Sequence, residues 1–132
     1  MLTNAGRLLV STSYVIESTL PERLLQVADL VLWHGNAQPT PQGMHARAKS
    51  IRASAGYRGQ PLLCNEDDHF DFDKPDNNFI AAIGEGASWG FFDYRNVREK
   101  YQDGFQSLPV DWTISSPRKR AFFRLLKEIT GS

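Results

Sequence analysis

One stretch of this chain gathers most of the groups that could do chemistry. Glu66-Asp67-Asp68-His69 follows directly on the apolar run Pro61-Leu62-Leu63-Cys64-Asn65, with Asp71, Asp73 and Asp76 close behind. Carboxylates beside an imidazole admit three readings. Two carboxyl groups can cleave a glycosidic bond, at about 5 Å apart if retaining and about 6.5–9.5 Å if inverting. Clustered oxygen ligands suit calcium or magnesium. The stretch lacks the fixed glycine and terminal glutamate of the twelve-residue calcium loop, so no metal ligand is assigned. The third reading is a solvated loop held open by its own charge, which fits Asp71 and Asp73. Glu66 stands apart because it abuts an apolar run.

The remaining candidates also sit just past apolar runs. They are Ser13 and Tyr14; His34, Gly35 and Asn36; and Asp93, Tyr94 and Arg95. Trp33, Trp89, Trp112, Tyr94 and Phe92 offer flat apolar area with a polar edge, the surface a sugar ring matches. Core packing is the competing reading for Trp33 and Trp89. His45 reads as a solvent-facing helical residue, and Cys64 as a small core residue. Gly84-Glu85-Gly86 is no phosphate loop, because it follows a helix and lacks the third glycine. Pro117-Arg118-Lys119-Arg120 reads as the solvated face of a helix. No motif calls for a cofactor.

Four apolar runs must position these residues: Arg7–Ser13, Leu30–His34, Pro61–Asn65 and Trp89–Tyr94. Leu30–His34 is apolar at nearly every position, as a strand covered on both faces requires. Helical patterns alternate with the runs. Thr19-Leu20-Pro21-Glu22 opens the first. Met44, Ala48, Ile51 and Ala55 mark the second, stopped by Gly56. Asp76 caps a third that carries Phe79, Ile80 and Ile83, and Gly84 and Gly86 weaken it. Ser116-Pro117 opens the fourth, whose stripe is Phe122, Phe123, Leu125, Leu126 and Ile129, with Gly131 at its end. The order βαβαβαβα predicts parallel strands with helical crossovers. Two architectures fit: a (β/α)₈ half-barrel and a flavodoxin-like open sheet. In both, ligands bind at the carboxyl ends of the strands.

Composition sets the outer bounds. The chain has 132 residues, 41% hydrophobic and 23% charged, which predicts a single α/β domain over 1–132. Fifteen Lys and Arg balance fifteen Asp and Glu. With no net field, nucleic acid and anionic membranes are not expected partners. One cysteine excludes an internal disulfide. No apolar run reaches the roughly 20 residues of a membrane helix. The first residues do not read as a secretory signal, and the location stays unassigned.

Pro61-Leu-Leu-Cys-Asn-Glu-Asp-Asp-His69, Ser88-Trp-Gly-Phe-Phe-Asp-Tyr94 and Gly104-Phe-Gln-Ser-Leu-Pro-Val-Asp-Trp-Thr-Ile-Ser115 together resemble the C-terminal half of cellulase-like (β/α)₈ glycoside hydrolases. The resemblance runs from about Arg7 onward and implies barrel strands five to eight. It implies Glu66 as nucleophile, His34 as the residue that orients it, and Trp89 as the floor of a sugar site. Asn36, Asp67, Asp68, His69, Asp93, Tyr94 and Trp112 become carbohydrate contacts. The acid/base glutamate of such enzymes lies at the end of strand four, which these four runs do not include. The expectation is therefore a carbohydrate-active half-domain, inactive alone, that pairs with a second copy or with an N-terminal half-barrel through open sheet edges. The alternative is a non-catalytic module that binds carbohydrate or a divalent ion.

Overall fold

Among the described residues, short apolar runs alternate with helices in eight elements. They are β1 (Ser13–Tyr14), α1 (Glu22–Val27), β2 (Val31–His34), α2 (Pro41–Arg52), β3 (Leu62–Asp67), α3 (Asn78–Gly84), β4 (Ser88–Phe91) and α4 (Pro117–Thr130). The structure, a computed structural model, describes residues 8–11, 13–14, 20–93, 97–100, 113–114 and 116–131.

The strands form an open parallel sheet in the order β1-β2-β3-β4. The fold is therefore α/β. Three strands of four to six residues make the body of the sheet, and the two-residue β1 flanks it. Every described strand lies beside its neighbour in sequence, so the order never reverses.

Local signals set most helix ends. Thr40 accepts a hydrogen bond from the Gly43 amide at 3.2 Å, with Pro41 in the first turn of α2. Ser116 does the same for the Lys119 amide, also at 3.2 Å, ahead of Pro117. Gly131 closes α4 in the left-handed conformation, φ 70°. The third cap differs from expectation. Asn77, not Asp76, accepts from the Ile80 amide at 3.0 Å, while the Asp76 carboxylate takes a hydrogen bond from Gln42. The second helix also ends early, at Arg52, and leaves Ala55 exposed. Gly56 instead meets α1: a Cβ there would strike the Glu22 carbonyl and come within 2.9 Å of the Leu25 Cβ. Among the described residues of the expected Arg7–Ser13 strand, Ser13 alone is a strand residue, joined by Tyr14. Leu8, Leu9 and Val10 lie exposed, and Val10 and Asp29 exchange hydrogen bonds at 2.8 Å. Arg7, Thr12 and Thr19 lie outside the described residues.

The core lies on one face of the sheet. Val31 and Trp33 of β2 and Leu62 and Cys64 of β3 meet Leu25 of α1, Met44 and Ile51 of α2, and Ala81 and Ala82 of α3. Trp33, Met44 and Cys64 are fully buried. Beside this cluster Phe72, Phe79, Trp89, Phe91 and Phe122 form an aromatic one, with neighbouring ring centroids 4.7–6.2 Å apart that fasten α4 to β4 and α3. Such contacts add to the area buried. On the other face Leu32 and Leu63 are only half-buried, and Ser13 and Ser88 are exposed. The apolar sequence of β2 therefore does not mean cover on both faces. The stripe of α4 is likewise incomplete, since Phe123 and Ile129 remain more than a third exposed. No described helix is long and apolar enough to cross a membrane.

Candidate functional site at the carboxyl rim

The site is built around an irregularity in β3. Cys64 pairs with Trp89 and Asp67 with Phe91, so β3 takes three residue steps where β4 takes two. An extra residue of this kind breaks the alternation of side chains and re-aims those that follow. Cys64 and Asp67 both become buried, while Asn65 and Glu66 between them stay half-buried. One strand end thus directs carboxylates in two directions.

Glu66 meets His34 at the carboxyl end of the neighbouring β2. His34 Nδ1 lies 2.9 Å from Glu66 Oε2, with each side chain a little over a fifth exposed. The Gly35 amide donates to the Glu66 carbonyl at 2.5 Å and holds the two strand ends in register. Ser13 of β1 donates to Asn65 Oδ1 at 3.0 Å. A serine, a histidine, an amide and a glutamate therefore line one rim across β1, β2 and β3.

Asp67 is fully buried and both its oxygens are engaged. Oδ1 accepts from the His69 amide at 3.1 Å and lies 2.6 Å from His69 Nδ1, while Oδ2 accepts from the Trp89 indole at 2.9 Å. Gly35 makes this packing possible, since a Cβ there would sit 2.8 Å from Asp67 Cβ and Cγ and 2.9 Å from Cys64 Sγ. Burial, joined by the charge of Asp67, pushes the Cys64 thiol far up, so it stays protonated.

The donor atoms of Asp67, Asp68 and His69 lie within 4.8 Å of one another, the spacing of a cation site. Asp67 Oδ1 is already taken by the His69 amide and ring, and Oδ2 by the Trp89 indole. The arrangement is a hydrogen-bonded set rather than an open cage of oxygens.

The other expected contacts fall elsewhere. Asn36 is exposed in the turn beyond Gly35, and Asp68 is half-buried with Oδ1 3.6 Å from His69 Nδ1. Trp89 lies on the helix-covered side. It stacks on Phe79 at 5.0 Å and donates to Asp67, so its ring area is taken up in packing and does not floor a sugar site. Asp93 is not a rim contact either. Its side chain is buried against Arg118 Nε at 2.5 Å, and its Oδ2 has no hydrogen-bond partner among the described residues. Burial raises its pKa from its ordinary value, opposed by the hydrogen bond and charge of Arg118. Tyr94 and Trp112 lie outside the described residues.

Arg118 is the main residue that sequence reading misplaces. It is not solvated. It holds Asp93 and Glu99 together, and its guanidinium lies 4.4 Å from the centre of the Phe70 ring. Lys119 beside it is also buried. The one available signal was position: the first turn of a helix whose amino end comes back to the strand ends. His45 is not simply solvent-facing either, since its Nδ1 lies 3.0 Å from Glu85, a carboxylate also held by Arg52. Comparison with protein-family profiles, with curated protein sequences and with solved structures finds no match.

Proposed function

We propose that the rim formed by Ser13, His34, Asn65 and Glu66 is the nucleophile-bearing part of a carbohydrate site, in a glycoside hydrolase-like half-barrel. The observation that carries this reading is the His34–Glu66 pair at the carboxyl ends of adjacent parallel strands. A nucleophilic carboxylate must be held at a fixed angle, and an imidazole nitrogen on one oxygen does that. The unreversed strand order supports the architecture, because a (β/α)₈ barrel is wound strand by strand. The half-buried second face, with Leu32 and Leu63, is the face that would line a barrel interior.

The chemistry also needs a carboxylic acid to protonate the leaving oxygen. Among the described residues, Asp67 and Asp93 are buried and paired, so neither is free for that role. In this reading the chain binds a sugar and presents Glu66 but does not complete a turnover alone. A 2-deoxy-2-fluoroglycosyl fluoride tests this directly, because fluoride leaves without acid help. The full chain, incubated with the gluco, manno and xylo reagents, should gain the mass of one fluorosugar on the peptide that contains Glu66. Glu66→Gln should abolish the adduct. An adduct on another residue, or none with any of the three, would refute the proposal.

A further inference from the structure

We propose that His69 is a proton-transfer residue, held by Asp67 in the tautomer that leaves Nε2 free to take a proton from water or from a hydroxyl at the rim. The inference stands apart from the carbohydrate reading, since it requires neither Glu66 nor a sugar. It rests on how completely Asp67 is fixed. This carboxylate is fully buried, with one oxygen held by the Trp89 indole and the other by the backbone amide of His69 itself. The same Oδ1 lies 2.6 Å from His69 Nδ1. Both carboxylate oxygens already accept N–H groups, so we place the hydrogen of this short contact on Nδ1. A neutral ring then has its lone pair on Nε2. The amide and the ring nitrogen of one residue on one oxygen also set the plane of the imidazole.

The ring is 27% exposed, and Nε2 has no hydrogen-bond partner among the described residues. A buried carboxylate that orients an imidazole with its far nitrogen open to solvent is the general-base half of a catalytic triad. The other two histidines are placed differently. Glu66, the partner of His34, is itself nearly a quarter exposed, and the partner of His45 is shared with Arg52 and Lys49. Neither is fixed as Asp67 is. Asp67 is a positioning residue in this account, and His69 the group that meets the substrate.

Hydrolysis of 4-nitrophenyl acetate tests the proposal. His69 Nε2 takes a proton from water as the water oxygen bonds to the acetyl carbon. The bond to 4-nitrophenolate breaks, acetic acid leaves, and the ring returns its proton to solvent. The full-length chain should exceed His69→Gln in rate by at least about tenfold. Added imidazole should restore rate to His69→Ala, and His45→Gln should behave as wild type. Nitrogen-15 NMR of the wild-type chain should show His69, when neutral, protonated on Nδ1, with that preference lost in Asp67→Asn. A folded His69→Gln with unchanged rate would overturn the proposal. So would an Nε2-protonated neutral ring in the wild type, which decides the matter even if the substituted chains do not fold.

Discussion

Gly35→Ala should loosen the Asp67 site from behind, by volume alone. The new methyl would stand 2.8 Å from Asp67 Cβ and Cγ and 2.9 Å from Cys64 Sγ. Relaxed carbon contacts lie at about 3.5–4.0 Å, so the shortfall is roughly 0.6–1.2 Å on three atoms at once. None of them yields easily. Cys64 is fully buried in the core, and Asp67 is tied by its carboxylate to Trp89 and His69. Forcing a methyl into a full core costs about 1–3 kcal/mol. Displacing Asp67 weakens at least one hydrogen bond, about 1 kcal/mol more. The total is about 2–4 kcal/mol. For a chain of this length that lowers Tm by about 10 °C. Urea unfolding followed by tryptophan fluorescence measures the loss, and the Trp89 indole proton resonance should move with it. Adding Cys64→Ala to Gly35→Ala should recover less than half, because both contacts with Asp67 remain. Gly35→Ala within about 0.5 kcal/mol of wild type would refute the reasoning, since it would mean that Asp67 is free to move.

Three further outcomes follow from other contacts. Trp89→Phe keeps the stacking on Phe79 but leaves the buried Asp67 Oδ2 without its donor, so urea unfolding should show a loss of about 1–3 kcal/mol. Arg118→Met strands the fully buried Asp93 carboxylate and should cost about 3–5 kcal/mol by the same measurement, whereas the solvated-helix reading predicts almost nothing. Glu85→Gln should destabilise at neutral pH and lose its effect in acid. The hydrogen bond from His45 is the largest of the influences that hold the Glu85 pKa below its ordinary value. The stabilisation is thus present above the unfolded pKa and disappears as pH falls through the lower folded one. Thermal melts of both chains from pH 7 to pH 3 should converge, and a constant gap would count against this.

What the sequence made legible is what neighbouring residues decide. Ser116-Pro117 and Gly131 bound α4 because caps act within one turn, and Leu30–His34 and Pro61–Asn65 read as strands from their composition. Asp76 and Asn77 are both good caps. Asp76 accepts instead from Gln42, 34 positions earlier, which no local rule reveals. Leu8, Leu9 and Val10 have strand-like composition but are exposed and lie outside the described strands. The site was half readable. Glu66 and His34 could be put on one rim because both end apolar runs. The side on which Asp67 falls depends on one extra residue in β3, and a count of alternating positions puts it on the wrong face. Arg118 was misread because its partners, Asp93 and Glu99, come from a separate part of the chain.

The unreversed strand order also bears on how the sheet is assembled. Every ladder between described strands joins neighbours in the chain: Ser13 with Leu32, Val31 with Leu62, Leu63 with Ser88. No pairing waits for a distant segment, so the loop that each closes is short and its entropy cost grows little from one to the next. During synthesis each strand can dock on its predecessor as soon as its own crossover helix has emerged. A sheet ordered in this way can grow in one direction, from β1 toward β4, each free edge serving as the template for the next strand. In that order the Asp67 site would be complete only with β4, which carries its Trp89 donor.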